Sequence, residues 1–233
     1  MTNRSVIARL QTGPFAYTLQ GAWQQFSSTL LDWIFPPTCV NCGRVDAQWC
    51  EVCTHELTHA QFEPFIADLP PFQGAIATGV HEAILQKAVQ ALKYHDVPQV
   101  APLLAQRLAM ALQSQEWKFD MIVPVPLHST RFAQRGYNQA KLLSEALSKV
   151  VNVPVVDALQ RERDTPSQVG LNRTERLTNV EGAFVAVSPG NVKSALLIDD
   201  VRTTGATLRA CAAALQEAGI TLVYAATVTV ASF

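Results

Sequence analysis

The sequence predicts an α/β fold, a mostly parallel sheet flanked by helices, preceded by a small cysteine-rich segment. Two observations carry this. From Gly74 onward, short apolar runs alternate with longer stretches whose apolar residues recur every three or four positions. That is the pattern of strands joined by crossover helices. Ahead of that region, four of the five cysteines crowd between Cys39 and Cys53. A chain of 233 residues, 48% apolar, can bury one good core with a small appendage.

The elements follow in order. Residues 1–35 are expected to be an N-terminal helical segment, with Trp23, Phe26, Leu30, Leu31 and Ile34 at near-helical spacing until Pro36 and Pro37 stop it. Residues 36–60 hold the cysteines, and residues 61–73, rich in Pro and Phe, read as a linker or irregular cover. The α/β domain spans 74–233. GAIATGV from Gly74 reads as a strand, and Ile84, Leu85, Ala88, Val89 and Leu92 share one face of the helix after it. A second helix runs through Leu103, Leu104, Leu108 and Leu112. DMIVPVP from Asp120 is a short buried strand ending in prolines, which a strand end tolerates. Leu142, Leu143, Ala146 and Leu147 define a third helix. SALLIDD from Ser194 is a strand, residues 206–219 a helix, and TLVYAATVTV from Thr221 the last strand.

Charge and hydropathy narrow the function classes. The net charge is −1, so the sequence lacks the strongly basic footprint of a bulk nucleic-acid binder. No apolar run approaches the roughly 18 residues needed to cross a bilayer. The first residues lack the long apolar core of a secretory signal, so a soluble cytoplasmic protein is expected.

Cys39-x-x-Cys42, seven residues, then Cys50-x-x-Cys53 offers four thiolates in two knuckles. In a cytoplasmic chain such spacing points to metal rather than disulfides. Four sulfurs suit tetrahedral Zn2+ in a closed structural site, and the same ligands would serve a rubredoxin-like iron. His55 and His59 lie nearby but read as surface residues, and Cys211 falls on the apolar face of a helix as core.

The densest chemistry is LLIDDVRTTGATL, residues 196–208. An apolar strand runs into Asp199 and Asp200, then into Thr203, Thr204, Gly205, Ala206 and Thr207 at the start of a helix. Ligands of open α/β sheets bind beyond the carboxyl ends of the strands. Unsatisfied N–H groups at a helix start favour an anion, and glycine lets the backbone come close to it. The paired carboxylates suit sugar hydroxyls or a Mg2+ shared with a polyphosphate. A phosphorylated ribose satisfies both halves. A threonine that merely caps the helix explains one of these residues, not all of them. No Gly-Lys-Ser/Thr follows, so this is not a Walker A loop.

This segment resembles the PRPP-binding motif of type I phosphoribosyltransferases. The resemblance implies that Asp199 and Asp200 hold the ribose and that Thr203, Thr204, Gly205, Ala206 and Thr207 hold the 5-phosphate, with Mg2+ accompanying PRPP. LHSTRFAQRGYNQ is similar to that family's pyrophosphate loop, and residues 161–176 to its mobile hood. Arg131, Arg135, Arg173, Arg176 and Lys93 are therefore candidate pyrophosphate or lid contacts, whereas Asn138 and Gln139 serve equally as helix caps. A narrower resemblance rests on FPPTC before the first cysteine pair, LKYHD, PVPLHSTRFAQRGYNQA and RERDTPSQVGLNRTERLTNVEGAF, in the order seen in the ComF/GntX family. It implies a type I phosphoribosyltransferase-like fold with a four-cysteine zinc knuckle. It also implies a link to DNA uptake in competence, with a helicase-like competence protein and single-stranded DNA as partners. Two departures bear on catalysis. Thr203 stands where hypoxanthine-type enzymes carry an Asp general base, and the cysteine knuckle stands ahead of the fold where glutamine-dependent amidophosphoribosyltransferases carry a glutaminase domain. Transfer of phosphoribosyl to an acceptor and ligand binding without turnover both stay open.

Overall fold

The computed structural model describes residues 36–162, 182–187 and 192–231. Five strands form the main sheet in the order β1 (Phe65–Ala67), β2 (Gly74–Ala77), β7 (Leu222–Val230), β6 (Ser194–Arg202), β3 (Met121–Pro124). All neighbours are parallel except β1, which runs antiparallel to β2. The segment expected to be linker or irregular cover therefore contributes an edge strand. Its exposed Phe65 and Ile66 give no inward-outward alternation from which a strand could be read. Pro124 ends β3, which is the other edge, where its missing N–H breaks no ladder.

The central strands read as unbroken apolar runs because both faces are covered. On one face Leu196 and Ile198 pack with Leu92, Leu104, Leu108, Leu143 and Leu147 from α2 (Ala83–Tyr94), α3 (Ala101–Gln113) and α5 (Gln139–Val151). On the other, Ala195 and Leu197 pack with Leu208, Cys211 and Leu215 of α6 (Ala206–Glu217). A hairpin of β4 (Leu159–Arg161) and β5 (Phe184–Ala186) covers that second face. Two short helices had no legible periodicity: α1 (Glu51–His59) and α4 (Ser129–Arg135), the latter with no buried residue.

The first core layer also contains Cys39, Trp49, Cys50, Cys53 and Leu57, so the cysteine segment shares its apolar interior with the α/β body. Arg107 of α3 ties the two. It is 4% exposed, donates to Leu57 O, Ala60 O and Gln61 O at 3.4, 3.0 and 2.9 Å, and lies over the Phe62 ring. Those carbonyls sit at the C-terminal end of α1, where backbone acceptors lack helical partners and a cation is favoured. No helix among the described residues is long and apolar enough to cross a membrane.

Candidate functional site

The strand bearing the acid pair continues two residues further than its sequence suggests. β6 remains paired with β7 through Val201 and Arg202, so both carboxylates are held on a ladder rather than on a loop. Asp199 is partly buried, and Asp200 is 6% exposed. The Asp200 N–H donates to Asp199 Oδ1 at 2.9 Å. Burial, with Asp200 next to it, pushes the Asp199 carboxyl up to about 7, while Lys93 pulls the other way. Lys93, in the last turn of α2, reaches Asp200 Oδ1 at 2.7 Å. Burial opposes its ammonium, but the Asp200 carboxylate outweighs burial and leaves the Lys93 pKa above its ordinary value.

The turn after β6 enters α6 through Gly205, whose φ of +77° is the left-handed region that side chains avoid. A Cβ there would also lie 3.2 Å from Leu69 Cδ2. Thr204 is buried, its hydroxyl accepting from the Ala206 N–H at 3.3 Å. Arg209 braces the turn from behind, donating to Thr204 O at 2.9 Å and Pro70 O at 3.0 Å. Thr203, Gly205, Ala206 and Thr207 line a cleft of about 530 Å³ together with Asp199 and Asp200. The N-terminus of α6 thus lies at the cleft wall, and a helix N-terminus favours an anion.

Cations dominate the rest of the cleft. Lys93, Arg131, Arg135, Arg161 and Arg202 all line it. Arg135 lies over the exposed Tyr94 ring, 5.2 Å from its centroid. Burial, then Arg209, lowers the Arg202 pKa, and its Nε has no partner among the described residues. Asn138 is spent on structure: its Oδ1 accepts from Ala140 N at 3.0 Å and its Nδ2 donates to Val125 O at 2.9 Å.

The four cysteine sulfurs lie within 4.8 Å of one another. Cys39 and Cys53 are 3.6 Å apart, and Cys42 and Cys50 3.7 Å. A tetrahedron of Zn–S bonds near 2.3 Å has edges of about 3.8 Å, so the donor set fits zinc. The first knuckle is closed by Gly43 N–H to Cys39 O at 2.8 Å and Cys39 N–H to Arg44 O at 2.7 Å. The second is the N-terminus of α1, with Cys50 at the cap and Cys53 in the first turn. Burial would raise the Cys39 thiol, but N–H groups of Cys42, Cys50 and Asn41 bring it down to about 6. The Cys53 N–H lowers Cys50. Burial pushes Cys53 up to about 12 against a hydrogen bond from Asn41. His55 and His59 stay out of the cluster, exposed and stacked with ring centroids 3.9 Å apart.

Residues 90–231 match the family model described as the phosphoribosyl transferase domain. The chain belongs to that family. Its relatives include Competence protein F of Haemophilus influenzae, 29% identical over 79% of this chain and 80% of that one. The DNA utilization protein YhgH of Escherichia coli O157:H7 is 28% identical over 76% of this chain and 81% of that protein. Competence protein ComFC of Streptococcus pneumoniae is 35% identical over 45% of this chain and 46% of that protein. The expected likeness to the ComF family, and the phosphoribosyltransferase-like fold with a cysteine cluster fitting a zinc knuckle, both stand.

Within this phosphoribosyl transferase domain, the candidate residues converge from three chain segments. Asp199, Asp200, Thr203, Gly205, Ala206, Thr207, Lys93, Arg131 and Arg135 share one cleft. Thr204 is buried instead, its hydroxyl turned to the Ala206 N–H and its carbonyl to Arg209. Arg173 and Arg176 lie outside the described residues. Sequence reasoning passed over Arg202, which occupies the unassigned position between the acids and the threonines. An arginine at that spacing, alternating with the acids on a strand, was the available signal.

Proposed function

We propose that this protein binds PRPP, or a related phosphoribosyl ligand, with Mg2+ and transfers phosphoribosyl to an acceptor with release of pyrophosphate. The observation that carries the reading is the company kept in one cleft. A glycine-threonine turn at a helix N-terminus, a carboxylate pair and a basic wall of Lys93, Arg131 and Arg135 all line it, with Lys93 2.7 Å from Asp200. The turn would take the 5-phosphate through N–H groups and the hydroxyls of Thr203 and Thr207. Asp199 and Asp200 would accept from the ribose hydroxyls, and the basic wall would hold the diphosphate. In the transfer, the bond from the anomeric carbon to the diphosphate oxygen breaks and a bond to the acceptor nucleophile forms. Positioning and charge stabilisation by these residues account for the catalysis. Magnesium bound with the ligand would neutralise charge on the diphosphate. In the knuckle, Cys39, Cys42, Cys50 and Cys53 would hold a structural Zn2+ with no open position for chemistry. We place this activity in the cytoplasm.

Calorimetric titration of PRPP with Mg2+ tests the reading. Wild type should bind, and Asp199→Asn with Asp200→Asn should lose at least a hundredfold in affinity. A folded, metal-loaded wild type that binds no PRPP defeats it.

The relatives' names support a second reading, an accessory role in DNA uptake without turnover, with single-stranded DNA and a helicase-like competence protein as partners. Arg131 and Arg135 beside exposed Tyr94 and Phe132 give a small basic and aromatic surface at the cleft mouth. Salt-dependent binding of an oligodeoxynucleotide, weakened by Arg131→Ala and Arg135→Ala, favours this reading. Pyrophosphate release with an acceptor favours the first.

A further inference from the structure

Two histidines that neither the cleft nor the knuckle uses stand together on the outside of α1. His55 and His59 are both exposed, and their rings stack with centroids 3.9 Å apart and planes 21° from parallel. Residues four apart on a helix project from one face. Two neutral imidazoles at that spacing form a donor pair for a transition-metal ion.

The hydrogen bonds fix which nitrogen of His59 is available. Its Nδ1 lies 2.8 Å from His55 O and 3.1 Å from Thr58 Oγ1. A carbonyl oxygen only accepts, so Nδ1 carries the ring hydrogen and donates it. The Thr58 hydroxyl gives its own hydrogen to the carbonyls of Thr54 and His55, which leaves its oxygen free to accept from the ring. The lone pair of His59 therefore rests on Nε2. Metal-ligating histidines show the same arrangement, an acceptor behind the ring that holds its tautomer and orientation.

The backbone under the pair is held at both ends. α1 begins in the cysteine knuckle, with Cys50 at its cap, and Arg107 grips the carbonyls of Leu57, Ala60 and Gln61 at its other end. Donors on a fixed backbone, already stacked, lose little freedom when they bind. Two nitrogens on one ion stand about 3 Å apart when each bond is about 2.1 Å. Small rotations of rings stacked at 3.9 Å reach that separation. A dication there would also sit in the last turns of a helix, where positive charge is favoured. Glu51, one turn before His55, adds a negative charge on the same face.

We propose that His55 and His59 form a second metal site, separate from the four cysteines, for a divalent late transition ion of the Zn2+, Ni2+ or Cu2+ class. The ion is held by His59 Nε2 and a ring nitrogen of His55, with water in its remaining positions. Imidazole donors suit these ions, whereas Mg2+ and Ca2+ take oxygen ligands. With only two protein ligands the site is open and its ion exchangeable, in contrast to the closed four-cysteine set.

The experiment titrates Zn2+ into the full-length protein with its knuckle already loaded, in wild type, His55→Gln and His59→Gln, substitutions that keep a good helix former. Wild type should take up one ion beyond the knuckle's and yield it to a weak chelator that leaves the knuckle metal in place. Each variant should bind that ion at least about tenfold more weakly, because two linked donors no longer act on it together. Knuckle zinc content and helical circular dichroism should match wild type, and excess Mg2+ should not compete. Cu2+ added to loaded wild type gives a readout independent of the variants, with two imidazole nitrogens in its electron paramagnetic resonance spectrum. Wild type that binds no ion beyond the knuckle's overturns the proposal. So do variants that keep wild-type affinity, which would put the ion elsewhere on the surface, and a Cu2+ spectrum without imidazole nitrogen.

Discussion

The cysteine knuckle and the cleft beyond β6 are two clusters of donor groups built on opposite plans. The knuckle draws all four donors from residues 39–53 and brings them together by two tight turns and the first turn of α1. The cleft draws its groups from Lys93, the segment 125–139, Arg161 and residues 199–208; the pairing of β3 with β6 sets two of these strand ends side by side, and α2 brings Lys93 to Asp200. A site of the first kind gathers its donors locally and depends on its ligand for stability. A site of the second kind depends on the whole fold and owes little to its ligand. The two are nevertheless joined through one apolar core and through Arg107.

The largest effect expected from breaking this contrast is at the knuckle. Zinc held there would contribute on the order of 10 kcal/mol to so small a segment. Cys53→Ser, or chelation, should release the metal and unfold α1, seen as lost zinc content and a lower first thermal transition. Arg107→Ala tests the tie itself. It strips three carbonyls of a charged donor and leaves a hole over Phe62, at a cost of about 4 kcal/mol. Hydrogen exchange should rise in α1 while zinc stays bound. Unchanged protection would show the knuckle to be merely adjacent to the α/β body.

On the cleft side, Asp199 gives a pH test. Its folded pKa of about 7 lies above the unfolded value near 3.9. The folded protein therefore binds the extra proton, and stability is fully present below about pH 4 and falls as pH rises through about 7. With allowance for solvent access, the loss should be about 2 kcal/mol. Asp199→Asn should flatten the profile of the ligand-free protein. Affinity for a sugar diol should rise over the same interval as the carboxylate forms. The smallest expected effect is at Gly205→Ala, where φ is +77° and Leu69 lies 3.2 Å from the new Cβ. It should cost about 1 kcal/mol of stability. Because the altered turn is the proposed phosphate cradle, ligand affinity should fall by more than the melting temperature suggests.

Much of the fold was legible because long helices and buried strands write their period into the chain. Leu104 and Leu108, or Leu143 and Leu147, mark one face, and the run Ala195 to Ile198 marks a strand covered on both sides. The short elements were not. Residues 65–67 and 129–135 bury almost nothing, so no pattern separates them from loop. In the hairpin, Arg161 and Phe184 pair across a gap of more than twenty residues.

The residues 199–207 and 39–53 stood out as donor clusters by themselves, because donors that lie within one turn of each other need only local geometry to converge. Residue types and spacing therefore settled which groups the protein offers. Tertiary structure decided what each group faces. It paired Lys93 with Asp200, turned Thr204 inward, buried Arg107 under α1 and left Gln139 with a donor unused. Those outcomes depend on burial and on contacts between residues tens of positions apart, and a linear pattern carries neither.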